Sequence, residues 1–129
     1  MLNREIEHIN QFINLHKQLS AGICIQLDLQ GDINDKSILP CILITFVENA
    51  FKHGVTHAVQ TPILIYLHSD KNNIKFKVVN KKNYQRKLPS TGVGHYNLKQ
   101  QLELFYKNKH ELIINQDREN YCCELILTV

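Results

Sequence analysis

No apolar run in this sequence reaches the ~18 residues that a membrane-spanning helix needs, and its first residues are too polar for a signal peptide. Cysteine is present only in unhelpful arrangements. Of the four, Cys122 and Cys123 are adjacent, Cys24 and Cys41 stand alone, and no Cys-x-x-Cys pair exists. That spacing argues against a zinc ribbon or a disulfide framework and suits reduced thiols in a cytoplasmic protein. Basic charge is thin as well: the net charge is +3 with the histidines neutral, and Lys and Arg are scattered apart from Lys81-Lys82. Without a basic stripe, nucleic acid is not an expected partner. Internal repeats and low-complexity segments are also missing. What remains is 129 residues with 43% hydrophobic content, one domain's worth of chain and enough for a core.

The stretch from Ile38 to Val55 organises the rest. Pro40, with its fixed φ and missing N–H, suits the first turn of a helix, and Gly54 suits a left-handed helix end. Leu43, Phe46, Val47 and Ala50 recur at helical spacing and mark a core face. The last turn and a half is polar: Glu48 and Lys52 are four apart, as are Asn49 and His53, which places the four on one edge of the helix. Two readings fit this edge, an ordinary salt-bridged helix end or a binding site.

Along the chain, Leu2 to Leu19 reads as an amphipathic helix and Cys24 to Gln30 alternates as a half-buried strand, with Ile25, Leu27 and Leu29 on one side. After the central helix, Ile63–His68 and Ile74–Asn80 form strands joined by the polar turn 69–73. The segment Asn80 to Ser90 is polar, and Thr91-Gly92-Val93-Gly94 leads into a helix from about His95 to Tyr106, with Leu98, Leu102 and Phe105 facing inward. Two strands, Glu111–Gln116 and Tyr121–Val129, close the sequence. Helix, strand, helix, hairpin, loop, helix, hairpin predicts an α+β fold: a two-layer sandwich with about three helices on one face of a mixed, mostly antiparallel sheet.

Gly92 and Gly94 stand where a loop enters a helix. Glycine there lets backbone approach a ligand, and a helix N-terminus favours a phosphate, although a plain turn is the default reading. An amide, a lysine and a histidine on a separate helix supply what a triphosphate with Mg²⁺ requires: a hard oxygen ligand, a cation and a further donor. Glu48 is placed to polarise an attacking group. The polar loop between the two features has the length of a lid.

At these residues the sequence resembles a known family. Phe-Val-Glu-Asn-Ala-Phe-Lys-His-Gly, at 46–54, matches the N box of bacterial sensor histidine kinases of the LytS/YehU type. Thr-Gly-Val-Gly-His-Tyr-Asn-Leu-Lys-Gln-Gln-Leu-Glu-Leu-Phe-Tyr, at 91–106, is similar to their G2 box and following helix. Glu5-Ile6-Glu7-His8-Ile9, with Phe12-Ile13-x-Leu15, resembles the helix that precedes their ATPase domain. The resemblance implies the GHKL (Bergerat) ATPase fold shared with DNA gyrase and MutL. It implies a division into a linking helix at 1–20, continuing from an upstream dimerisation and phosphoacceptor region, and a catalytic domain at 21–129. ATP and Mg²⁺ are the implied ligands, with Asn49 holding the metal and Glu48 as the catalytic carboxylate. Lys52 and His53 would face the phosphates, and Thr91, Gly92, Val93, Gly94 and Asn97 would shape the lid end and phosphate pocket. The implied partners are upstream histidine-bearing helices, a second copy of the full-length protein and a response regulator. The implied location is the cytoplasmic side of a membrane-anchored sensor.

The sequence departs from the family pattern in places. The strand ending Val78-Val79-Asn80 lacks the family's Asp-x-Gly, so Asn80 would accept the adenine amino proton through an uncharged and weaker amide oxygen. His95 replaces the usual leucine. His8 and His16 read as surface or interface histidines more readily than as phosphoacceptors. The alternative to a kinase domain is a degenerate GHKL module that binds partners without turning over ATP.

Overall fold

The computed structural model describes residues 1–83 and 93–129, with the backbone alone for 93–96. The described residues form α1 (Leu2–Leu19), β1 (Ile25–Gly31), α2 (Ile42–His53), β2 (Ile63–Ser69), β3 (Asn73–Lys81), α3 (Val93–Phe105), β4 (His110–Gln116) and β5 (Asn120–Thr128). The sheet order is β1-β2-β3-β5-β4, with β1 parallel to β2 and every other pairing antiparallel. The parallel pair follows from its connection: a helix-bearing crossover through α2 links β1 to β2, whereas short turns link β2 to β3 and β4 to β5. The expected α+β sandwich is the observed fold.

Register lines up the apolar side chains of one face. Leu27, Ile65, Val78, Cys123 and Ile114 form one row across the sheet, and Leu67, Phe76, Leu125 and Leu112 form the next. A one-residue slip would send each row to solvent, so alternation fixes the pairing. Above these rows lie Leu43, Phe46, Val47 and Ala50 of α2, with the Phe46 and Phe76 rings 6.0 Å apart. Leu2, Ile6, Ile9 and Ile13 extend the core along α1, and Leu98 and Leu102 along α3.

Both hairpin turns are built by an aspartate. The Asp70 carboxylate accepts the N–H groups of Asn72 and Asn73, and that of Asp117 accepts those of Glu119 and Asn120. These bonds favour the charged forms and hold both carboxyls below their ordinary range.

Three expectations are corrected. Helix α2 starts at Ile42, two residues beyond Pro40, because Cys41 takes a left-handed conformation (φ 66°) and turns the chain into the helix. Leu29 is 39% exposed, since β1 is an edge strand with its far half exposed. Phe105 is 58% exposed; Tyr106 is half-buried instead, its hydroxyl accepting the Leu39 N–H at 2.9 Å. A phenol can bury its ring and still satisfy a backbone donor, which phenylalanine cannot do.

Burial pushes the Cys123 thiol up to about 12, with the neighbouring Cys122 adding to the shift, while Cys41 is exposed. The thiolate is the reactive species. Iodoacetamide at pH 8 should therefore label Cys41 in the native state and reach Cys123 only after denaturation, as read by peptide mass spectrometry. Native labelling of Cys123 at the rate of Cys41 would contradict the packing.

Candidate functional site

Helix α2 carries Glu48, Asn49, Lys52 and His53 in its last turn and a half. The helix turns by about 100° per residue, which separates Glu48 from Asn49 around its axis. The four residues therefore form two strips and not the single edge expected. Glu48 and Lys52 line a cleft of about 440 Å³ between α1 and α2. Asn49 and His53, both half-buried, lie on the other strip.

The cleft wall is aromatic toward α1. Phe12 meets Phe51 edge-on and His16 meets it tilted, with ring centroids 5.0 and 4.8 Å away and 4.4 Å from each other. At its mouth the His57 ring lies between two hydroxyls, Ser20 Oγ at 2.9 Å from Nε2 and Thr56 Oγ1 at 2.8 Å from Nδ1. Two hydroxyls can each donate or accept, so they hold the ring in either tautomer.

The far end of α2 is joined to the end of β3. Gly54 N–H donates to Ala50 O at 2.7 Å, Val55 N–H to Lys81 O at 2.9 Å, and Asn83 N–H to His53 O at 3.1 Å. Gly54 itself is extended (φ −97°, ψ 165°) and forms a bridge with Lys82, so the expected left-handed end is corrected. Glycine is needed there for space. A Cβ on Gly54 would stand 2.5 Å from Ala50 O and 3.0 Å from both Cβ and Nδ2 of Asn80. Asn80, 4% exposed, thus lies directly against the end of α2, its Nδ2 donating a long bond of 3.4 Å to Lys81 O.

Helix α3 packs against α2 through its inward leucines. Val93 and Gly94 occupy its first turn, and Asn97 is exposed one turn on. Thr91 and Gly92, with most of the expected lid, lie outside the described residues. The fold thus brings Asn80 to the polar end of α2 and sets α3 beside that helix, while Glu48 and Lys52 face α1.

Among the described residues no group of three His, Cys, Asp or Glu side chains could hold a metal ion. A single amide oxygen such as that of Asn49 still suits Mg²⁺, which keeps waters and takes phosphate oxygens in place of an all-protein cage.

Two features of this region were not read from the sequence. The Thr56 hydroxyl adjoins His57 in the chain, but Ser20 meets it only through folding. Glu5 was readable: it falls inside the apolar stripe Leu2, Ile6, Ile9 and Ile13, where a carboxylate needs a buried partner.

No protein-family profile matches the sequence, and no curated protein matches it. Solved structures do. The chain is similar to the catalytic domain of the histidine kinase ThkA, with a TM-score of 0.67 at 12% identity over 98% of this chain and 93% of that one. It is similar to the Acinetobacter baumannii histidine kinase AdeS, with a TM-score of 0.63 at 14% identity over 98% of this chain and 64% of that one. The ThkA structure in complex with response regulator protein TrrA matches with a TM-score of 0.62 at 13% identity, over 98% of this chain and 40% of that one. At such identities the likeness is one of fold: this chain has the fold of histidine kinase catalytic domains.

Gly54→Ala should destabilise the domain by about 1–3 kcal/mol, as overpacking does, since the added methyl meets backbone at Ala50 and the Asn80 side chain. A melting temperature lowered by several degrees would agree. An unchanged one would mean that α2 and β3 do not approach as closely as described.

Proposed function

We propose that this chain is the ATP-binding catalytic domain of a two-component sensor histidine kinase of the LytS/YehU type. One observation carries the reading. Within a fold like that of histidine kinase catalytic domains, Asn80 at the end of β3 lies against the end of the helix bearing Asn49 and His53. That contact supports neighbouring positions for adenine recognition and phosphate recognition.

In this reading Asn80 accepts the adenine amino proton through Oδ1. Asn49 offers its amide oxygen to Mg²⁺, which when bound would offset charge on the phosphates. Lys52 and His53 contribute positive charge and a donor to the phosphate oxygens. Thr91, Gly92, Val93, Gly94 and Asn97 would shape the phosphate pocket and lid end, as the family resemblance implies. Glu48 is the candidate catalytic carboxylate, exposed at the mouth of the cleft, where it would assist the incoming imidazole of an upstream helix. The phosphoryl group leaves the β-phosphate oxygen as its bond to the histidine nitrogen forms, and ADP departs. Residues 1–20 then link to that histidine-bearing region, and the full-length protein is a homodimeric, membrane-anchored sensor with this domain in the cytoplasm. The complex of ThkA with its response regulator supports a response regulator as the downstream partner.

A specific feature favours a second reading. Asn80 provides an uncharged acceptor where the resembled family has a carboxylate, and a domain that had stopped binding adenine could serve as a partner-binding module.

Titration calorimetry with Mg²⁺ and a non-hydrolysable ATP analogue separates the two. Saturable, Mg²⁺-dependent binding that Asn49→Ala weakens at least tenfold, or about 1.4 kcal/mol, is expected. Asn80→Asp should tighten binding, because a carboxylate is the stronger acceptor for the adenine amino group. Absence of binding at millimolar analogue would overturn the kinase reading and leave the module. Glu48→Gln should lower phosphotransfer in the full-length protein while analogue affinity stays within twofold; a loss of affinity instead would assign Glu48 to binding.

A further inference from the structure

We propose that Glu5 is a positioning residue for the candidate nucleotide site, holding α2 in place from α1. This deepens the reading of α2 as the helix that carries that site. Glu5 is 3% exposed, and its carboxylate accepts three backbone N–H groups from the start of α2: Cys41 at 3.0 Å on Oε2, with Leu43 at 2.9 Å and Ile44 at 3.4 Å on Oε1. No side chain at the α2 N-cap itself does this work, since Cys41 is left-handed and makes no capping bond. The cap of α2 is therefore supplied by another helix.

The two helices run side by side in the same direction, because Glu5 meets residues 41–44 while Phe12 and His16, further along α1, meet Phe51. The second contact lies within the stretch that carries Glu48, Asn49, Lys52 and His53. Helix α1 thus grips α2 at both ends, by charge-assisted hydrogen bonds at one and by edge-on and tilted ring contacts at the other. An α-helix is hydrogen-bonded along its whole length and moves as a rod, here about 18 Å long for twelve residues. A displacement of α1 must either carry α2 with it or break the bonds to a buried carboxylate. The loop before α2 shares the restraint, with the Leu2 N–H donating to Lys36 O at 2.9 Å. The placement of α1 consequently bears on that of Asn49, Lys52 and His53, alongside the backbone docking of the far end of α2 on β3.

Glu5→Gln keeps the shape and removes the charge and one acceptor oxygen. Ile9→Val, on the same buried face of α1, loosens packing without touching the cap. In the nucleotide-free domain, Glu5→Gln should shift the backbone amide resonances of Asn49, Lys52 and His53 and speed their hydrogen exchange. It should also weaken binding of the Mg²⁺–ATP analogue about tenfold. Ile9→Val should leave both within twofold, and its melting temperature shows whether the two variants are matched in stability. Amide changes confined to residues 41–45, or equal effects from Ile9→Val, would reduce Glu5 to an ordinary structural cap and overturn the proposal. Failure of the unsubstituted domain to bind the analogue would instead remove the nucleotide reading, while the amide shifts still decide whether Glu5 governs the far end of α2.

Discussion

The carboxylate of Glu5 is the interaction on which the helical layer depends. Two parallel helices bring like dipole ends together, each N-terminus carrying about +0.5 of an elementary charge. One buried anion stands in the first turn of α1 and against the first turn of α2, and so answers both. Three N–H groups that the start of a helix leaves unpaired find their acceptor there. Hydrogen bonds to a charged group contribute roughly 1.5–3 kcal/mol each, and leaving such a group buried without them costs as much again. The sequence can place a charge in the apolar stripe of α1 only because α2 arrives to meet it.

At its opposite end α2 is held by backbone. The strand-like bond from Val55 to Lys81 and the bridge between Gly54 and Lys82 dock the helix terminus onto β3. Gly54 permits that approach, and Asn80 fills the space that a side chain would have taken. Strand β3 lies in the middle of the sheet, bonded to β2 and β5, so the wall against which the polar end of α2 sits is a rigid one. A binding constellation gains precision when its side chains stand on such elements.

The polar end of α2 faces two ways, and each direction suits a different task. The Asn49 and His53 strip is half-buried, on the helix whose end meets Asn80, a setting for a ligand held between elements. The Glu48 and Lys52 strip opens on an aromatic cleft shared with α1, where chemistry arriving along α1 would meet it.

Much was legible in the residues alone. Apolar spacing located every helix and strand to within a few residues, because each element buries one face and periodicity records which. Alternation in β3 marked Ile74, Phe76 and Val78 for the core, and the polar close of α2 together with its glycine marked a candidate site in one short motif. Contacts between distant segments were not legible. That Glu48 and Asn49 diverge follows from helix geometry, but which neighbour each faces depends on where α1 lies. That Gly54 is extended rather than left-handed follows from its pairing with Lys82, 28 positions away in the chain. Phe105 and Tyr106 compete for one inward place, and the hydroxyl wins it only because the Leu39 N–H lies within reach. The sequence by itself determined the elements, their buried faces and the candidate chemistry, since those arise from local period and residue type. The tertiary structure alone decided the cap of α2, the seat of Asn80 and the two directions of the site, because each requires groups brought together by the closing of the core.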